Sequence, residues 1–344
     1  LFVPRAARCT EPVSQHIEIH MPFPPRISPD ADAARRRAVL WARRHGLITG
    51  PVDERRFTSW DIAGLMARWA PLVTGPALDM VVDAVNVATI LDDQFDGPLA
   101  DRPDEVARAC EDFHAVARAT APGTAPDGAG PLARAFAEVW ARLCAGRSAY
   151  WQDREGGYWR WYFESYVEET RDRALDRVLP REEYLLQRQK SGLVYPMVGM
   201  TESAYGFEAS RRTHELPVVL RMFELTADVV DTTNDLYSVE KEETRGDMHN
   251  LVTVLAWERG GTSGDHVAEV VALVESWCAE FVTLEQRLGE VCAAAGLSGA
   301  ETAAAHRLAD IMRSSMRGHL DWYAHTDRYA SLIPVGEAAY TNLL

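Results

Sequence analysis

The chain has no run of eighteen apolar residues, so no transmembrane helix is expected. Cysteine is scarce: Cys9, Cys110, Cys144, Cys278 and Cys292 are an odd number and include no Cys-x-x-Cys spacing. That argues against a disulfide framework or a cysteine zinc site, and the expected compartment is a reducing cytoplasm. Basic residues are outnumbered, 36 Lys and Arg against 51 Asp and Glu, giving a net charge of -15. A nucleic-acid partner or an anionic membrane surface is therefore not expected. There is no Rossmann or P-loop glycine pattern, no internal repeat and no alternation of strand length. The opening LFVPRAARCTEPV has no signal-peptide core or cleavage pattern.

What remains is helical. The 344 residues suffice for one large domain or two small ones with a substantial core, and Ala, Leu, Arg and Glu, good helix formers, are abundant. Residues 1–27 are rich in proline and read as an extended arm. Apolar periodicity then predicts helices from about 30 to 46, from Thr58–Ser59 to Pro71, over 77–96, 102–120, 131–146, 151–178 and 184–190, and over 215–242, 249–259, 264–295 and 299–323. The Pro- and Gly-rich segment 121–131 is a clear loop. It is not read as a domain boundary, because the two acidic motifs described next lie on either side of it. The expected organisation is an arm (1–27), one all-α domain (28–334) and a tail (335–344).

Three features carry chemistry. In ELTADVVDTTNDLYSVEKE, Asn234, Ser238 and Glu242 follow one another at i, i+4 and i+8 and share a helical face. An amide oxygen, a hydroxyl and a carboxylate are hard donors of the kind Mg2+ takes, and Lys241 beside them suits a phosphate; a solvated polar face is the alternative. The helix over 77–96 ends in Asp92, Asp93 and Asp96, carboxylates that repel one another at the end of a helix that disfavours negative charge. A divalent cation would offset that repulsion. Finally, Ser191–Gly192 and Pro196 predict a break inside a buried segment, whose freed backbone groups need a partner.

Together these motifs resemble those of bacterial class I terpene synthases. DDQFD (92–96) is similar to the family's aspartate-rich motif, and NDLYSVEKE (234–242) to its Asn-Ser-Glu triad. Arg188 stands 46 residues before Asn234 (188 to 234), at the place of the diphosphate-sensing arginine. Ser191 and Gly192 fall at the linker and effector positions, and Arg328–Tyr329, preceded by Trp322, matches the C-terminal Arg-Tyr pair. The linker departs from the Asp or Thr of many relatives, and Val85, Ala88, Thr89 and Leu91 stand where relatives often carry aromatics.

The resemblance implies a single-domain antiparallel helical bundle that ionises and cyclises a prenyl diphosphate, most simply farnesyl diphosphate, with three Mg2+ ions. Asp92, Asn234, Ser238 and Glu242 would be metal ligands, with Asp93 and Asp96 tuning them from behind; Arg188, Lys241, Arg328 and Tyr329 would bind diphosphate. Phe95 and Trp322, and less directly Phe57, Trp60, Trp161 and Tyr195, are candidates for the aromatic wall that steadies a carbocation. His249 is read as structural. A monomer or homodimer is expected. The alternatives are a diterpene cyclase acting on geranylgeranyl diphosphate, a chain-elongating prenyltransferase, which would want a second DDxxD in place of NDLYSVEKE, and a non-catalytic helical binding protein.

Overall fold

The computed structural model describes residues 17–95, 97, 99–119, 122–329 and 343–344. Asp96, Cys9, the first part of the arm and most of the tail lie outside the described residues. Among those described there are fourteen helices and no strand. They are α1 (Ala31–Arg44), α2 (Pro51–Ser59), α3 (Ile62–Trp69), α4 (Gly75–Phe95), α5 (Pro103–Arg118), α6 (Pro131–Cys144) and α7 (Ala149–Ala174). There follow α8 (Arg181–Ser191), α9 (Val194–Ala204), α10 (Arg211–His214), α11 (Pro217–Arg245), α12 (Leu251–Arg259), α13 (Ser263–Ala294) and α14 (Gly299–Tyr323). The architecture is an all-α, single-domain antiparallel bundle, as the resemblance implied.

Two helices are buried over most of their circumference and form the centre. In α4, Val81 to Ala88 are buried without interruption, and in α11 Leu225 to Thr233 are. A helix apolar all round must be enclosed by others. Accordingly α4 packs on α1, α3, α6 and α9, and α11 on α8, α9, α12, α13 and α14. Local signals fix the ends. Pro217 opens α11 at the first helical position, where a missing N–H costs nothing. Gly246, at φ 75°, closes it in the left-handed conformation that glycine adopts without strain. Reciprocal capping boxes start α13 (Thr262, Asp265) and α14 (Ser298, Glu301).

The segment expected as one helix from Thr58–Ser59 to Pro71 is two. Asp61 interrupts it at φ 48° and caps α3 by accepting from the Gly64 N–H at 3.1 Å. Arg35 donates to both oxygens of that carboxylate at 2.7 and 2.9 Å, which holds the interruption in place. The short α10 was also not expected. The described part of the arm, 17–27, crosses the body: Phe23 meets Phe281 edge-on, the His20 N–H donates to Glu275, and Arg26 pairs with Asp310.

Candidate active site

The last turn of α4 presents Asp92 and Asp93, and each has an arginine. Arg328 donates to Asp92 Oδ2 across 236 residues of sequence, and Arg56 donates to Asp93 Oδ1 at 2.8 Å. The Tyr166 hydroxyl, from α7, donates to Asp92 Oδ1 at 3.1 Å. Two guanidiniums therefore offset the mutual repulsion of these carboxylates, a role the sequence reading gave to a cation alone.

On α11 the polar line reaches the same network through Tyr329, the neighbour of Arg328. Asn234 is its hub. Its Oδ1 accepts from Arg188 at 2.9 Å, and its Nδ2 donates to the hydroxyls of Tyr329 at 2.7 Å and Tyr323 at 2.9 Å. Arg188 also donates through Nε to buried Asp235 at 3.1 Å. Asp235 accepts from the Tyr184 hydroxyl at 2.6 Å and the Leu251 N–H at 2.9 Å as well. Burial alone would weaken the Arg188 charge, but Asp235, with Tyr184, Asp231 and Glu169 behind it, more than reverses that and holds its pKa well above the ordinary value. Lys241 lies with its ammonium 5.6 Å from the centre of the Tyr329 ring, and the Arg328 guanidinium lies over Trp60 at 5.0 Å.

Arg188 sits at the end of α8, just before the break. The Ser191 hydroxyl is 3.5 Å from an Arg188 nitrogen, the outer limit of a hydrogen bond. Gly192 caps α8 by donating to the Arg188 carbonyl at 2.9 Å, and Leu193 opens α9 from the left-handed region at φ 63°. The break anticipated from sequence is thus present.

The aromatic candidates are distributed unevenly. Phe95, the last residue of α4, is wholly buried and meets Tyr166 edge-on at 4.9 Å. Trp322 is fixed by its indole N–H, which donates to the carbonyls of Trp60 and Asp61 at 3.0 Å, so it bolts α14 to the α2–α3 junction. Trp60 carries guanidiniums on its ring, from Arg56 at 5.9 Å as well as from Arg328. Phe57 is buried on α2, and Tyr195 stacks on Phe223. Trp161 is 46 % exposed, and its ring contacts are Tyr158 and Tyr195. It therefore does not stand with the residues around Asp92 and Asn234. The buried His319 imidazole, bracketed by Trp69, Trp322 and Tyr323, is held neutral, its pKa pushed down to about 3 by burial and by the Arg188 charge.

Several residues were not anticipated. Asn250, the N-cap of α12, donates to Glu242 Oε2 at 2.7 Å and to the Asp235 carbonyl at 2.8 Å, tying both ends of the polar line together. Its sequence signal was the polar break GDMHN after the motif. Tyr323 and Tyr184 gave no signal beyond being aromatic. His249, read as structural, bridges Asp172 of α7 and Asp247, at 3.5 and 3.2 Å. Burial opposes its charge, but those two carboxylates raise its pKa to about 10.

The residues present fit a divalent cation. Among the described residues no three His, Cys, Asp or Glu side chains group closely enough to hold a metal. The mixed amide, hydroxyl and carboxylate oxygens of Asn234, Ser238 and Glu242 are hard donors of the kind Mg2+ takes. Ser238 Oγ is buried with no hydrogen-bond partner among the described residues, which calls for a ligand. Burial, and after it Asp235 and Asp247, push Glu242 up to about 8, and a cation would restore its charge. Glu242 also lines a cleft of about 450 Å³ with Asp172, Arg173, Asp247 and His249. A larger cleft, about 1020 Å³, lies under the arm and contains neither Asp92 nor Asn234, so the chemistry is not placed there.

An acidic helix end facing an Asn-Ser-Glu line across two arginines, inside an all-α bundle, defines the class I terpenoid synthase type. Residues 83–280 match the family model described as "Terpene synthase family 2, C-terminal metal binding". The chain is 35% identical over 319 residues to pentalenene synthase of Streptomyces avermitilis, covering 92% of this chain and 94% of that one. It is 31% identical over 318 residues to (-)-beta-caryophyllene synthase ((2E,6E)-farnesyl diphosphate cyclizing) of Saccharothrix espanaensis, covering 92% and 90%. The crystal structure of an a-eudesmol synthase superposes with a TM-score of 0.82 at 26% identity, covering 90% of this chain and 99% of that one. The protein belongs to the terpene synthase family. It is an enzyme that acts on a diphosphate substrate with Mg2+, and no described helix is long and apolar enough to cross a membrane.

Proposed function

We propose that the protein converts farnesyl diphosphate to a cyclic sesquiterpene with release of diphosphate, at the opening between α4, α8 and α11. One observation carries this reading: a connected path runs from Asp92 to Arg328, through the adjoining Tyr329 to Asn234, and on to Arg188. It joins two candidate metal ligands on separate helices with two guanidiniums suited to a diphosphate. The cyclases that resemble this chain over nine-tenths of its length, one named for farnesyl diphosphate, support the fifteen-carbon substrate.

In this reading Asp92 holds metal from the α4 side and Asn234, Ser238 and Glu242 from the α11 side, with three ions in all. When bound, Mg2+ supplies positive charge to the departing diphosphate. The chain's own residues do the rest. Arg188 and Arg328, now spent on Asp235, Asn234 and Asp92, exchange these partners for diphosphate oxygens, which their planar forks fit in pairs. Lys241 adds a mobile point charge, and the Tyr329 hydroxyl a further donor. Because these donors are preset where negative charge grows, they lower the barrier to breaking the allylic C–O bond. Closure of the side chains over the opening excludes water, which would otherwise quench the cation. Farnesyl, geranyl and geranylgeranyl diphosphates offered singly with Mg2+ test the reading, with products resolved by gas chromatography. A cyclic fifteen-carbon product supports it, and turnover of the twenty-carbon substrate alone replaces it with a diterpene cyclase.

A further inference from the structure

α11 carries three carboxyls, Asp228, Asp231 and Asp235, at three- and four-residue intervals, so they share one helical face. All three meet the last turn of α8 or the break that follows. Asp228 accepts from Gln189 Nε2 at 2.7 Å, and Asp235 accepts from Arg188. The middle one lies against the break itself. It meets Gly192: a Cβ added there would lie 1.8 Å from Asp231 Oδ1 and 2.2 Å from its Cγ. The carboxyl thus fills the space that any side chain at 192 would need.

Two further observations bear on this contact. Asp231 is 3 % exposed, and its Oδ2 has no hydrogen-bond partner among the described residues. An orphaned polar atom in a buried stretch of helix is costly to keep, and an aliphatic side chain would have served packing alone. The next residue along the break, Leu193, is left-handed without being glycine, a conformation that persists only where its surroundings over-determine it.

We propose that Asp231 is a positioning residue for the cyclisation: its carboxyl seats the Gly192–Leu193 turn and so aims that turn's backbone groups at the substrate chain. This rests on the cyclase reading given above. The diphosphate-facing Arg188 and the turn then hang from neighbouring carboxyls of one helix, Asp235 and Asp231, so the leaving-group side and the hydrocarbon side share a rigid support. Burial, and behind it the nearby Asp235, hold the Asp231 pKa well above the usual carboxylate range, against the pull of Arg188.

The test compares Asp231→Ala, Asp231→Asn, Gly192→Ala and the Gly192→Ala/Asp231→Ala double variant. Each is checked for helicity by circular dichroism, then assayed with farnesyl diphosphate for kcat, KM and product ratio. Asp231→Ala should lower kcat by roughly tenfold, change KM by less than about twofold and alter the product ratio, as misplacement of a bound chain does. Asp231→Asn, which keeps the shape, should return the ratio toward the parental one. Gly192→Ala should be impaired and the double variant better than the two losses combined, since removing the carboxyl makes room for the methyl. If Gly192→Ala does not fold, the Ala and Asn variants at 231 decide alone. An Asp231→Ala enzyme with parental kcat and product ratio overturns the proposal while leaving the cyclase reading intact, as does an Asn variant altered to the same degree as the Ala variant.

Discussion

In the proposed reading, single side chains at this site fall into two groups, those that hold the ligand and those that hold the holders. Asn234 and Ser238 are in the first. Replacing both with Ala should lower kcat/KM more than about 100-fold with helicity unchanged, because oxygen donors are lost from the site and no packing is lost from the core. Steady-state kinetics with circular dichroism check this, and substantial activity in the double variant would contradict it. Trp322 is in the second group. Its indole N–H satisfies two carbonyls of the α2–α3 junction. Trp322→Phe should therefore cost about 1 kcal/mol in urea unfolding for the lost indole hydrogen bonds, since Thr326 Oγ1 and the Leu65 N–H still donate to those two carbonyls. The ligand-holding side chains were legible in the sequence because helical spacing alone puts Asn234, Ser238 and Glu242 in line. The supporting side chains were not: Tyr184, Tyr323 and Asn250 owe their roles to neighbours on other helices, and no local pattern marks them.

Elements carry the geometry. α11 was legible nearly to its ends, since Pro217 and the glycine at 246 punctuate a long apolar period. The α8–α9 break was legible from Ser191–Gly192 and Pro196, but its partner was not identified. Asp228 and Asp231 stood in plain view as carboxyls inside ELTADVVDTTND, where an apolar helix face should have excluded them. The α2–α3 interruption was missed because Asp61 caps a helix only when Arg35, from α1, fixes its unusual backbone.

The turn after α11 is held to α7 by His249 between Asp172 and Asp247, and this linkage gives a pH dependence. The His249 pKa is raised from 6.5 to about 10 in the folded chain. The folded state thus binds the proton more tightly, so this contribution is fully present below about pH 6.5 and is lost as pH rises through about 10. Thermal unfolding without metal should show Tm falling from pH 7 to 10, and His249→Gln should flatten that slope. An equal slope in both proteins would remove His249 as the cause.

At the scale of the whole molecule, a chain of net charge -15 must accept an anionic substrate. The chain manages this with Arg188 and Arg328 pre-paired to acidic groups, and with donors that suit Mg2+. Chelation by EDTA should therefore abolish diphosphate release and added Mg2+ should restore it, with the fold unaffected throughout. The proposed metal and diphosphate residues were readable from four motifs in order. The hydrocarbon side was less so, because an aromatic side chain gives the same signal in a packed core, at a surface or on a cavity wall, as Trp322 and Trp161 illustrate. The central claim is best tested by incubation with farnesyl diphosphate and Mg2+, with and without isopentenyl diphosphate. The account predicts a cyclic fifteen-carbon product formed without isopentenyl diphosphate. Longer prenyl diphosphates formed only when it is added would contradict it.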